Sequence, residues 1–248
     1  AALVASTTAL GQSFPSKPIR IIIPYGAGGT SDILARGIAP KLQEALGQPI
    51  VVENKPGANG NVGAEFVAKS APDGTTVLLA DIGALAISPS VYPKLPFDVA
   101  KDFTPIVMIS YSPHVVAVHP SVPVQNLKEL IAYAKANPDK LNFAISGVGG
   151  APHLAGIEFA ARTGVKWAYI PYKGGAPAVA DTVGGQANVV FNGMLATWPS
   201  VTGGKLRALA VTSSQRVPSA PDTPTVAETL PGFETGSFQG VVGPAGIP

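Results

Sequence analysis

Residues 24–36 read PYGAGGTSDILAR, with the apolar run Ile19–Ile23 before them and apolar residues at Leu34, Ile38, Leu42 and Leu46 within and behind them. A short apolar run followed by helical periodicity predicts a strand over 19–23, a tight turn, and a helix over 31–46. Glycines in such a turn let backbone N–H groups approach a ligand, and a helix N-terminus adds unpaired donors and a partial positive charge. The stretch is therefore a candidate anion cup. It is equally readable as a plain capped turn, with Thr30 or Ser31 as N-cap and Asp32 placed to suit the helix dipole.

Nucleotide chemistry fits the turn poorly. A phosphate-binding P-loop needs a lysine directly after its last glycine, but Gly29 is followed by Thr30 and Ser31, and the next lysine is Lys41. A dinucleotide fingerprint started from Gly26 and Gly28 meets Ser31 where its third glycine belongs, although Glu53 stands at about the distance of a ribose-binding acid. That match is partial.

The 248 residues suit one large or two ordinary domains, and a 46% hydrophobic content supports a substantial core. Seventeen basic against 15 acidic residues leave no basic stripe, so nucleic acid is not an expected partner. The chain has no cysteine, which excludes disulfides and thiolate-held metals. Residues 1–13, AALVASTTALGQS, are small, apolar and uncharged, and Ala9 with Gly11 forms a small-x-small pattern before Gln12. They read as the remainder of a signal peptide or as a disordered tail, the first implying a periplasmic location. No later apolar stretch is long enough to span a membrane, so the mature chain is expected to be soluble.

Strands predicted over 19–23, 50–53 and 75–80 alternate with helices over 31–46 and near 61–70, which argues a parallel sheet covered by helices. Between them ENKPGANGNVG (53–63) reads as a connecting loop beside the site. The run YPKLPFDVAKDFTPI (92–106) has too many prolines for a helix or a central strand, and reads as a crossing between lobes. A second α/β set follows, with strands near 106–111, 115–118, 142–145, 167–170, 188–191 and 206–211 and helices over 127–136, 152–163 and 176–184. It contains AISGVGGAPHLAG (144–156), again strand, glycine-rich turn and helix. Two such cups in separate lobes suggest a clamshell closing on one ligand. The proline-punctuated RVPSAPDTPTVAETLPGFE (216–234) reads as the return crossing, and a last strand near 238–242 rejoins lobe one.

In order along residues 14–248, the motifs FPSKPIRIIIPYGAGGTSDILAR, GQPIVVENKPGANGNVGAEFVAKSAPDGTT, VYPKLPFDVAKDF, PYKGGAPAVADTVGGQ, GKLRALAVTS and PDTPTVAE resemble the Bug receptors, periplasmic solute-binding proteins of tripartite tricarboxylate transporters. The resemblance implies a two-lobed α/β periplasmic binding protein fold of type II-like, Venus flytrap form, each lobe a mostly parallel sheet flanked by helices. Residues 14–100 and 222–248 would form lobe one and 101–221 lobe two. Relatives continue past the position of Pro248 into helices that complete lobe one, so those helices are expected to be missing here. The implied function is capture of a small carboxylate and delivery to membrane transporter subunits, without a cofactor, by a receptor that is monomeric when full length. Carried over residue by residue, the ligand site comprises Tyr25, Gly28, Gly29, Thr30 and Asp32 in the first cup and Ser146, Gly147, Gly149 and Gly150 in the second, with Asp32 ordering donors and water. Two positions depart from the family pattern. Asp81 stands where relatives carry small neutral or hydroxyl residues, and meets an amine or hydroxyl of the ligand or turns away to cap the next helix. Asn192 stands where they commonly carry Asp.

An α/β enzyme, a hydrolase or a dehydrogenase, is the alternative, and a ligand-sensing module is a third. Ser146 and His153 form a conceivable nucleophile–base pair, but no G-x-S-x-G elbow surrounds Ser146, and His153 falls in the first turn of its helix. His114 and His119 flank VVAV and point to opposite faces of a strand, so they cannot share a metal there. Lys173 in PYKGGAP is a candidate Schiff-base amine or carboxylate partner, or a solvated loop lysine.

Overall fold

The run Ile19–Ile23 forms strand β1, and of its five residues only Arg20 escapes full burial. A run without polar alternation needs cover on both faces, the situation of a parallel strand between neighbours. β1 pairs in parallel with β2 (Ile50–Asn54) and β3 (Thr76–Asp81), and the crossovers are helices α1 (Thr30–Leu46) and α2 (Asn61–Ala68). The structure, a computed structural model, describes residues 14–248. The expected signal remainder and its cleavage point before Gln12 lie outside the described residues.

The centre of the molecule is antiparallel. β4 (Phe103–Val118) runs for 16 residues, its first part paired with β9 (Gly236–Pro244) and its last with β7 (Val189–Gly193) and β8 (Arg207–Val211). β9 also pairs with β3, and with β5 (Asn142–Ile145) and β6 (Ala168–Pro171) the strand order is β2-β1-β3-β9-β4-β7-β5-β6, with β8 on β4. In the second lobe β5 pairs in parallel with β6 and β7. Helices α5 (Leu127–Ala136), α6 (Ala151–Thr163), α7 (Gly175–Val183) and α8 (Met194–Thr202) flank that sheet.

Three expectations are corrected. The two strands expected at 106–111 and 115–118 are one strand, because Pro105 sits at a register shift and Pro113 where the strand leaves one sheet for the other, both places that spare a ladder donor. The crossing between lobes is this strand and not the proline run before it. Residues 92–102, with the single turns α3 (Ser88–Val91) and α4 (Val99–Asp102) at their borders, fold back onto lobe one. There Phe97 meets Phe103 edge to face at 5.6 Å in a cluster with Ile22, Leu78 and Val67. Likewise residues 222–234, expected in lobe one, insert Val226 and Phe233 into the second-lobe core, and the chain returns only with β9. Proline spacing rules out a helix but does not say which core the intervening apolar residues join.

That second core is aromatic. Phe143 stacks on Trp167 at 4.8 Å and meets Phe191 edge to face at 4.9 Å, and Phe159 stacks on Trp167 from the other side. Each such side chain contributes about 1.5–3 kcal/mol through burial. α6 approaches closely enough that a Cβ on Gly156 would lie 2.8 Å from the Phe143 ring. In lobe one, Ile21, Ile23 and Leu79 pack under α1, and beside them an apolar groove of about 870 Å³ opens between Ile38, Leu42, Val107, Val241 and Ile247.

Candidate functional site

The two glycine-rich turns face each other across the gap between the lobes, and their backbones match. In the first, Gly28 has φ 78°, Gly29 is the extended N-cap of α1 (φ −76°, ψ 168°), and Gly29 N donates to Gly26 O at 3.4 Å. In the second, Gly149 has φ 77°, Gly150 is the extended N-cap of α6 (φ −74°, ψ 163°), and Gly150 N donates to Gly147 O at 3.2 Å. Left-handed φ is what glycine allows without a Cβ clash. Neither N-cap uses a side chain. The Thr30 or Ser31 cap expected from the sequence is absent because both residues lie inside the helix, which leaves first-turn N–H groups free for a ligand.

Each turn is braced by a side chain one helical turn on. Gly28 N donates to Asp32 Oδ2 at 2.9 Å, and Gly149 N donates to Nδ1 of His153 at 3.0 Å. Asp32 is buried and further held by Arg36 Nε at 3.1 Å and Asn54 Nδ2 at 2.9 Å. Burial works to raise its pKa, but Arg36, Gly28 N–H and Asn54 outweigh it and hold the carboxyl below the usual range. It supports the turn without reaching the cleft. His153 has its pKa lowered by burial, and with Nδ1 committed to Gly149 no hydrogen bond joins it to Ser146 among the described residues. The nucleophile–base arrangement is absent there.

A cavity of about 40 Å³ remains between the lobes. Of the sequence-derived site residues, Tyr25, Gly29, Thr30, Asp81, Ser146, Gly150 and Asn192 line it. Gly28, Asp32, Gly147 and Gly149 stand behind it as turn geometry. Lys173 is not in it: its side chain is exposed, and its carbonyl accepts Gly26 N at 3.3 Å across the mouth, a backbone bond that any residue type could make. Tyr92 Oη donates to Val148 O at 3.1 Å, a second bond between lobes.

Other lining residues escaped the sequence reading. Asn59, in the loop read as merely adjacent, sits at φ 56°, ψ 34°, and its Oδ1 lies against the second cup, 2.9 Å from where a Cβ on Gly150 would be. A non-glycine residue held in that region is local strain of the kind that gathers at binding sites. Its neighbour in the motif, Asn59-Gly60, was the available signal. Ser237 and Gln239 enter from β9, a strand whose long-range pairing no local pattern reveals. Gly175 begins α7 against Asn192 so tightly that a Cβ would overlap the amide, and Asn192 Nδ2 donates to Thr197 Oγ1 at 3.1 Å.

Asp81, at the end of β3, is among the described residues the one carboxylate lining the cavity, and no described Lys, Arg or His lines it. Its Oδ1 accepts from Tyr25 Oη and from Gly83 N, the latter at 2.7 Å. Burial raises its pKa despite these two donors. Tyr25 is raised well above its ordinary value, by burial and then by the Asp81 charge. The Gly83 bond shows that Asp81 does brace the following turn, and it faces the cavity as well.

His114 is fully buried, 3.2 Å from Thr235 Oγ1 and from Ser237 Oγ, while His119 lies past the end of β4, 2.7 Å from Ser121 Oγ. No group of three His, Cys, Asp or Glu suited to a metal occurs among the described residues, and no described helix is long and apolar enough to cross a membrane.

A family profile described as the tripartite tricarboxylate transporter family receptor matches residues 34–248. BugT of Bordetella pertussis is 40% identical over 237 residues, covering 95% of this chain and 73% of BugT. The R. palustris protein Rpa4515, solved with adipate, superposes with a TM-score of 0.93 at 37% identity, over 95% of this chain and 79% of that one. MatC of Rhodopseudomonas palustris, solved with bound malate, gives 0.89 at 32% identity, over 95% and 80%.

Proposed function

The chain belongs to the tripartite tricarboxylate transporter receptor family, and from that premise we propose that it is a periplasmic receptor that captures a small carboxylate between its lobes. It hands that ligand to membrane subunits of such a transporter. The observation that carries the reading is the pair of matched turns, each presenting an uncapped helix N-terminus to one cavity that no cationic side chain lines among the described residues. A carboxylate enclosed there is stabilised by several neutral donors, and charge-assisted hydrogen bonds contribute about 1.5–3 kcal/mol each.

In this reading Gly29 and Thr30 from lobe one and Ser146 and Gly150 from lobe two hold the carboxylate, with Tyr25, Asn59, Asp81, Asn192 and Gln239 surrounding the rest of the ligand. Asp32 and His153 keep the turns in shape. The protein works as a monomer, since one chain supplies both sides of the cavity and both bonds that shut it. Relatives solved with adipate and malate support a carboxylate as cargo. Mass spectrometry of ligand retained through purification, followed by calorimetry with mono- and dicarboxylates, tests the reading. A retained carboxylate is the expected result; turnover of an added ester, amide or hydroxy acid would replace the receptor reading with an enzyme.

A further inference from the structure

We propose that the carboxylate taken by this cleft also carries an ammonium group, received by Oδ2 of Asp81. The inference rests on the receptor reading and narrows its ligand to small amino-carboxylates. Asp81 has its two oxygens in different situations. Oδ1 is saturated by Tyr25 Oη and Gly83 N, whereas Oδ2 accepts no hydrogen bond from a described residue, on a side chain that lines the cavity.

The placement of Oδ1 is built. A Cβ on Gly83 would stand 2.9 Å from that oxygen and 2.8 Å from Tyr25 Oη, so only glycine admits the three-way contact. Tyr25 is a positioning residue in this arrangement: its hydroxyl fixes one carboxylate oxygen and leaves the other for the ligand.

Charge decides what the ligand must bring. Among the described residues no lysine, arginine or histidine lines the cavity to balance Asp81. A ligand carrying only carboxylate groups would enclose like charges together, whereas an ammonium offsets the Asp81 charge, leaves the ligand carboxylate to the neutral donors, and supplies the donor that Oδ2 lacks. A hydroxyl would satisfy Oδ2 and leave the charge unbalanced. Space limits the ligand too. A water needs about 10–15 Å³ of such volume, so the 40 Å³ cavity has room for about three waters, or a short chain with its two charged ends close together.

Titration calorimetry of the full chain with matched pairs tests this: β-alanine against propionate and aspartate against succinate, on wild type and Asp81→Asn. The amino member of at least one pair should bind the wild type about tenfold or more tightly than its partner, and in Asp81→Asn that ratio should collapse toward one. The wild-type ratio stands without the variant, so a misfolded Asp81→Asn leaves the inference open to refutation. Propionate and succinate each binding as well as or better than its amino partner, or a ratio untouched in folded Asp81→Asn, overturns the ammonium and spares the receptor. Binding of neither member of either pair overturns this ligand assignment; binding of no carboxylate in the wider panel removes the receptor reading as well.

Discussion

The backbone N–H of Gly149 donates to Nδ1 of His153, four residues on, in the relation that Gly28 bears to Asp32 in the other lobe. The two braces differ in strength. Asp32 is charged and gathers Gly28, Arg36 and Asn54, whereas His153 holds one N–H. Asp32→Ala removes a buried carboxylate with its charge-assisted bonds from Gly28, Arg36 and Asn54 and should cost about 2–3 kcal/mol of stability. His153→Ala should cost about 1 kcal/mol. Urea denaturation of the two variants checks the order, and equal losses would refute the distinction.

Gly147→Ala and Gly150→Ala separate closure from folding. The added Cβ would approach Asn59 Oδ1 to 3.1 Å and 2.9 Å, and Asn59 belongs to the opposite lobe. The collision with Asn59 exists only when the lobes are shut; at Gly150 a Cβ would also stand 3.3 Å from Gly147 O of its own turn, so Gly147→Ala is the cleaner of the two. Melting of the ligand-free protein should shift by a few degrees at most, while carboxylate affinity falls about tenfold or more by calorimetry. A large loss of intrinsic stability would place the conflict inside one lobe instead.

Binding should be nearly indifferent to Lys173 and to salt. Lys173→Ala keeps the carbonyl that meets Gly26 and removes only an exposed side chain, so affinity should change less than about threefold. Enclosed backbone dipoles are weakly screened, so affinity between low and moderate salt should hold as well. By contrast Gly28→Val forces a β-branched residue to φ 78° and should abolish binding. Calorimetry at two ionic strengths reads all of this, and a collapse with salt would point to a cation in the site.

His114 sets an acid limit on stability. Burial lowers its pKa to about 4 from the ordinary 6.5, so the folded ring stays neutral while the unfolded one takes up a proton. The unfolded state therefore binds more protons between those two values, and stability falls as pH drops from 6.5 to 4. The loss across that window is about 3 kcal/mol. His114→Gln should flatten this part of the pH profile in chemical denaturation, whatever it costs at neutral pH; an unchanged slope would assign the acid loss to other groups.

What was readable from sequence follows the range of the interaction involved. PYGAGGTSD and SGVGGAPH announce themselves locally, since an apolar strand, glycines and a helical period lie within one short window. The bracing residues were equally local: GGTSD and GGAPH place Asp32 and His153 at the same offset, a repeat visible only once the turns are superposed. Ser237 and Gln239 were not readable, because they reach the cavity through pairing of β9 with strands more than a hundred residues earlier. The proline runs misled for a related reason. A generic central strand rejects Pro105, at the end of the run 92–106, whereas a bulge there, like the change of sheet at Pro113, leaves no ladder bond to lose.

β4 lies at the middle of the strand order and belongs to the ladders of both lobes, with β9 along its first part and β7 and β8 along its last. Neither lobe can therefore lose its sheet without stripping a central strand from the other. A two-lobed outline ordinarily invites two heat-absorption peaks, one per lobe. The shared strand predicts a single peak here, with calorimetric and van't Hoff enthalpies equal, so that damage confined to one lobe is felt as the melting of the whole molecule.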